Sequence, residues 1–272
     1  MNREDYLINR LNSSYIGDDG AIVGETIYSM DAFYEDVHFK REWMSLSQIA
    51  KKAMLVNISD AVAMNATPKY ALITISLPKG ITQNEIDEIL DSLYKTAKEF
   101  DLEIIGGDTI VSDKLDFTIT IISNSLNPLT RKGLKEGDLL AFTGTLGESK
   151  RDLDKLFRGE SISEDSRFIE PKLRGEFIKK AREYLRVGMD ISDGLYCDTN
   201  KLLDYNGIGF EPIISITDEV GRSGEEYEML IGFSKDNLEN ILEIADSLNI
   251  KLTIFAKICD NDKRFECLNH HI

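Results

Sequence analysis

Ile49, Ala53, Val56 and Met64 recur at spacings of three and four within residues 46–66, and Asp60 stands in the same stripe. That period places all five on one face of an α-helix that has to be packed against other structure. Asn57 shares the face. A carboxylate in such a stripe is costly to bury unless a cation or a hydrogen-bond donor meets it. The chain therefore has to fold around this helix and bring a partner to Asp60.

With 272 residues the chain is long enough for two domains at a rough 150 residues each. A polar, glycine-bearing stretch over residues 133–138 precedes a new strand at 139–143, so the expected division is 1–134 and 135–272. Thirty-two Lys and Arg against 48 Asp and Glu leave a net charge of −16, which excludes a surface built to neutralise a nucleic-acid backbone. Hydrophobic content of 42% with 29% charged residues is that of a folded globular protein. No apolar run approaches the roughly 18 residues of a membrane span, and the acidic, polar beginning is unlike a secretory signal. A cytoplasmic protein without membrane contact is expected. The three cysteines, Cys197, Cys259 and Cys267, form no C-x-x-C pair and read as reduced thiols.

Strands and helices alternate along the sequence. Residues 4–11 read as a short helix and 22–33 as strand, with the turn Gly17-Asp18-Asp19-Gly20 between them. Residues 69–78 form a strand, Thr82-Gln83-Asn84-Glu85 opens a helix as a capping box running to about 100, and 102–105 is a second strand ended by a sharp turn at Gly106-Gly107-Asp108-Thr109. Phe117, Ile119 and Ile121 alternate in a strand over 115–125. Beyond the boundary, helices are expected at 174–186, 194–203 and 235–248, with strands at 208–214 and 251–258. The class is α/β, or α+β, since the pattern does not fix sheet topology.

Neither a P-loop nor a dinucleotide fingerprint occurs, and the three histidines, His38, His270 and His271, exclude an H-E-x-x-H metal site. What remains is a set of aspartates at turns and strand ends: Asp18, Asp19, Asp31, Asp60, Asp108, Asp190 and Asp193. Carboxylates without histidine or cysteine partners are hard oxygen ligands suited to Mg²⁺, which would let an acidic protein hold a polyphosphate. Taken singly, Asp18, Asp108 or Asp193 serves equally as a turn or cap residue, and Gly106-Gly107 as a tight turn or a close approach to phosphate.

Gly17-Asp-Asp-Gly20, Ser29-Met-Asp31, Val37-His38-Phe39, Asn57-Ile-Ser-Asp60-Ala-Val-Ala-Met64, Gly106-Gly-Asp-Thr109, Leu129-Thr-Arg131 and Asp190-Ile-Ser-Asp-Gly194, in this order, resemble the thiamine-monophosphate kinases of the aminoimidazole-ribonucleotide-synthetase-like superfamily. The resemblance implies a two-domain fold, an N-terminal sheet domain that dimerises and a C-terminal α/β domain that closes the active site. It implies ATP- and Mg²⁺-dependent phosphorylation of thiamine monophosphate to thiamine diphosphate, the last step in making that cofactor. By matching positions, Asp19, Ser29, Asp31, Asp60, Asp108, Asp190 and Asp193 would hold several Mg²⁺ ions, Gly107, Asp108, Arg131 and Ser192 would contact ATP, and His38 and Glu225 would face thiamine monophosphate. Asp108 and Arg131 would be catalytic, in a homodimer. Met30 and Glu226 depart from the threonine and aspartate usual in the family. The alternatives are another phosphoryl transfer of the superfamily, a metal-dependent phosphohydrolase, or a nucleotide-binding regulator without turnover.

Overall fold

The computed structural model describes residues 3–11 and 13–267. The strands are β1 (Ala21–Val23), β2 (Thr26–Tyr34), β3 (Thr67–Pro78), β4 (Glu103–Ser112), β5 (Asp116–Asn124), β6 (Leu139–Thr143), β7 (Val187–Asp190), β8 (Gly209–Pro212), β9 (Met229–Phe233) and β10 (Leu252–Cys259). The helices are α1 (Arg3–Leu11), α2 (Leu46–Ala63), α3 (Gln83–Glu99), α4 (Glu148–Phe157), α5 (Gly175–Ala181), α6 (Leu195–Asn206), α7 (Asp218–Gly221) and α8 (Leu238–Ser247). None of these helices is long and apolar enough to cross a membrane.

Two five-stranded sheets organise the chain, ordered β1-β2-β5-β3-β4 and β7-β9-β6-β10-β8. In the first sheet β3, α3 and β4 make a βαβ unit, β3 and β4 being parallel, while the other pairings are antiparallel. Helix α2 lies on one face of it. Ile27 and Phe33 of β2, Ala71 and Ile73 of β3, and Phe117, Ile119 and Ile121 of β5 meet Ile49, Ala53, Met54 and Val56 of α2 in one core. Both long helices start as their sequences dictate, Ser45 with Gln48 and Thr82 with Glu85 each closing a capping box.

The second sheet is antiparallel throughout and covered on both faces. Leu140, Phe142 and Leu230 point toward Leu195, Leu202 and Leu203 of α6. Leu139, Ala141, Met229, Ile231 and Phe233 point the other way, toward Phe177 and Ile178 of α5 and Ile241 and Ala245 of α8. A return stretch ties the halves together, since Leu156, Phe168 and Ile169 pack into the first core and Phe157 meets Trp43 edge-on at 5.1 Å.

Three expectations change. Gly106 and Gly107 do not end a strand: β4 runs through them, in parallel register with Leu72 and Ile73 of β3. Their φ of +149° and +147° is open to glycine, and a Cβ on Gly107 would fall 1.8 Å from the Ile73 carbonyl oxygen. The helix expected at 174–186 is shorter, α5 passing into a 3₁₀ turn at Arg182–Tyr184 before β7. Cys197 and Cys267 are not free thiols but a disulfide, with Cα atoms 5.2 Å apart. Stacking of Phe265 on Tyr196 and Phe210 brings the tail to the first turn of α6, a non-local pairing that cysteine spacing does not encode. Cys259 is free. His270 and His271 lie outside the described residues.

Candidate active site

Helix α2 carries the site. Asn57 and Ser59 are buried beside Asp60, and each reaches a second acidic segment. The Asn57 side chain donates to the Ala53 carbonyl at 2.9 Å, which turns its Oδ1 to accept the Asp31 backbone N–H at 2.8 Å. Ser59 Oγ donates to Asp190 Oδ2 at 2.5 Å, tying the helix to the end of β7. One helix thus holds Asp60 in place and fixes two strands from different sheets around it.

Asp19, Asp60 and Asp190 converge, each offering a carboxylate oxygen within 4.8 Å of the others. Burial, together with the charges of Asp31, Asp190 and Asp19, holds the Asp60 carboxyl well above its ordinary range. Burial and the charge of Asp19 do the same to Asp190, against the pull of the Ser59 hydroxyl. Asp19 is raised by burial although Arg131 draws it down. Three close carboxylates, Asp190 buried and Asp19 and Asp60 half-buried, repel one another, and a cation among them removes that cost. Asp19 Oδ2 and the buried hydroxyl of Ser29 have no hydrogen-bond partner among the described residues. Three converging carboxylates, one of them with an orphaned oxygen, are a hard donor set that fits a magnesium-type ion.

Arg131 borders the cluster. Leu129 donates its N–H to the Met64 carbonyl at 3.0 Å and packs against Gly188, so the loop is pinned between both halves. From there the guanidinium pairs with Asp19 while the Arg131 backbone N–H donates to Asp18 Oδ1 at 2.7 Å. Burial alone would lower the guanidinium, yet Asp19 outweighs it and holds Arg131 above its ordinary value. Arg131 Nε is buried without a partner among the described residues.

The remaining candidates are distributed around this centre. Asp193 pairs with Lys201, and its N–H donates to Asp198 Oδ2 at 3.0 Å. Ser192 accepts the Glu225 N–H at 2.7 Å through its carbonyl. His38 Nδ1 accepts the Tyr34 N–H at 2.9 Å, and the ring stacks on Phe33 at 5.5 Å. Glu225 is ion-paired to Lys52 at 2.7 Å. Glu226 turns inward and accepts the N–H groups of Gly147 and Ser149, capping α4, whose N-cap residue, Gly147, has no side chain to do so. Asp108 is not in the cluster. It lies on edge strand β4 in register with Thr74, on the face of the first sheet away from α2.

Reading residues by type overlooked Ser59, Lys52, Asp198 and Lys201. Asp198 is fully buried, and burial pushes its carboxyl up to about 7 despite Lys201. The pair is spaced i, i+3 on α6, a pattern that could have signalled it. Lys52 could have been found as Asp60 was, as a charge inside an apolar helix.

Residues 17–124 match the family model described as AIR synthase related protein, N-terminal domain. A thiamine-monophosphate kinase of Leptospira interrogans is 31% identical over 244 residues, spanning 82% of this chain and 78% of that protein. One from Aquifex aeolicus is 26% identical over 270 residues, spanning 89% and 88%. In fold, the chain is similar to a solved structure described as AaThiL complexed with AMPPCP and TMP, with a TM-score of 0.84 and 24% identity over 97% of this chain and 93% of that one.

Proposed function

This chain belongs to the thiamine-monophosphate kinase family, and we propose that it transfers the γ-phosphoryl group of ATP, with Mg²⁺, to the phosphate of thiamine monophosphate, giving thiamine diphosphate and ADP. The observation that carries the reading is the convergence of Asp19, Asp60 and Asp190 beside Arg131. Phosphoryl transfer asks little covalent work of a protein; positioning and charge compensation supply most of the rate.

In this reading Asp19, Asp60 and Asp190, with Ser29, Asp31 and Asp193 around them, hold the metal. Bound Mg²⁺ supplies charge neutralisation for the phosphates and orients them. Arg131, kept charged and partly unsatisfied, presents a fork to phosphate oxygens. Ser192 lies at the nucleotide, and His38 and Glu225 at the acceptor. No side chain has to act as base, because a phosphate monoester with a second pKa near ~6 is already largely ionised at neutral pH.

The reading includes a homodimer. The outer face of the first sheet leaves Tyr28, Met30, Tyr34, Tyr70, Leu72 and Ile110 exposed, an apolar row that a second copy would cover. Gly107 and Asp108 lie at the β4 edge of that sheet, so their part in nucleotide binding would be played across the interface. Incubation with thiamine monophosphate, ATP and Mg²⁺, beside an ATP-free control, tests the reaction. Thiamine diphosphate formed only with ATP supports it, whereas ADP without thiamine diphosphate moves the acceptor to another molecule.

A further inference from the structure

Lys52 is fully buried, which lysine almost never is unless paired. Its ammonium donates to Glu225 Oε2 at 2.7 Å and lies 3.8 Å from the centroid of the Phe168 ring and 5.6 Å from that of Phe33. Two aromatic faces and one carboxylate thus meet it, and the cation is held by the rings as well as by the ion pair. Phe33 is also the ring on which His38 stacks. Lys52 and Ser59 are seven residues apart on α2, two turns along one helix face and separated by about 10 Å. Ser59 holds Asp190 and Lys52 holds Glu225, so one face of α2 orients two acids contributed by the other half of the chain.

Glu225 itself sits at φ +54°, a conformation side chains rarely adopt, in a loop whose backbone is fixed independently. Its N–H donates to the Ser192 carbonyl at 2.7 Å, and the Tyr227 N–H donates to the Ile191 carbonyl at 2.9 Å. Those bonds set where the loop runs, while the ion pair with Lys52 sets where the Glu225 carboxylate points. One carboxylate oxygen is committed to Lys52, and the side chain remains 25% exposed.

We propose that Lys52 is a positioning residue for the acceptor side of the site: it aims the Glu225 carboxylate and offsets its charge, making it an oriented hydrogen-bond acceptor rather than a free counter-ion. The proposal rests on the phosphoryl-transfer reading above. It predicts a selective defect, because losing Lys52 frees the carboxylate and leaves the 191–193 segment and the acidic cluster in place.

The test is initial-rate kinetics on Lys52→Met, Lys52→Arg, Glu225→Gln and the Lys52→Met/Glu225→Gln double variant, varying each substrate in turn, with thermal unfolding in Mg·ATP alongside. Methionine fits a pocket walled by aromatic rings. Lys52→Met is expected to raise KM for thiamine monophosphate about tenfold, as loss of a charge-assisted contact does, with KM for ATP changed by less than about twofold. Lys52→Arg should recover part of the loss, Glu225→Gln should show the same selective rise, and the double variant should be no worse than the poorer single one. Should Lys52→Met not fold, Lys52→Arg and Glu225→Gln decide the matter alone. An unchanged acceptor KM, or both KM values rising together with a lowered melting temperature, overturns the proposal and leaves the kinase reading intact. A wild-type protein that makes no thiamine diphosphate overturns both.

Discussion

The two sheets are equal in strand number and opposite in how they treat their faces. In the second, β6, β7 and β9 are buried at every position, with α6 on one side and α5 and α8 on the other. In the first, α2 and α3 cover one face only, and edge strand β4 is exposed over nearly its whole length. A sheet finished on both sides can serve as a rigid backstop, and a half-covered one still has a partner to find. The acidic cluster lies where the two meet, Asp60 coming from the helix of the open sheet and Asp190 from a strand of the closed one.

Opposite substitutions on the two sheets should break this contrast most violently. Ile231→Asp buries a carboxylate with no cation in a fully enclosed strand, at a cost of several kcal/mol against a total stability of about 5–15 kcal/mol, and is expected to abolish the cooperative thermal transition. Met30→Glu, on a residue 62% exposed at the outer face of β2, should shift the stability of the single subunit by no more than about 0.5 kcal/mol and, if that face is the dimer surface proposed above, leave the protein monomeric in sedimentation. A Met30→Glu protein that sediments like the wild type would remove the outer face as the dimer surface.

The same contrast governs what the sequence could disclose. The half-covered sheet and its helices announce themselves: Phe117, Ile119 and Ile121 alternate, Thr82 and Glu85 mark a helix start, and α2 shows a helical period. The fully covered β9, Met-Leu-Ile-Gly-Phe, has no alternation to read, since both its faces are core, and neither it nor β7 was expected. Asp60 stood out because a charge in an apolar stripe demands a partner, and Asp19 and Asp190 followed from their turns. Where Asp108 lies relative to them depends on β4 continuing through two glycines in register with β3, which no local pattern encodes. The Cys197–Cys267 pairing is non-local in the same way.

Titration offers a narrower probe of the meeting point. Burial holds Asp60 and Asp190 well above the ordinary carboxyl value of 3.8 and takes Asp198 up to about 7. Between about pH 4 and 7 the folded, metal-free protein therefore binds more protons at these groups than the unfolded chain does, and their contribution to stability falls as pH rises. Glu228 works in the other direction, because Arg174 and Arg167 outweigh its burial and hold it low. Comparison with Asp60→Asn cancels that background. In EDTA the variant should be more stable than wild type at alkaline pH and lose the advantage as acid protonates the raised Asp60 carboxyl; with Mg²⁺ at alkaline pH the order should invert, because only the wild type gains the ion. Parallel melting-temperature profiles for the two proteins would count against a strained acidic cluster.

The smallest effect separates a hydroxyl that serves the site from one that serves only the fold. Thr82 caps α3 far from the acids, accepting the Glu85 N–H, while Ser59 on α2 donates to Asp190 across the junction of the two sheets. Either substitution by alanine should cost on the order of 1 kcal/mol, by loss of a helix cap or of a hydrogen bond to a carboxylate. Their consequences for the metal should differ. Ser59→Ala leaves Asp190 free to turn and removes the donor that favours its charged form, so the Mg²⁺ concentration giving half-maximal thermal stabilisation should rise by roughly tenfold, as expected when an outer partner of a ligand is lost. Thr82→Ala should melt as early and keep the wild-type Mg²⁺ midpoint. If the two variants share one midpoint, Ser59 is only a fastening between the halves of the molecule, and the orientation of Asp190 comes from β7 alone.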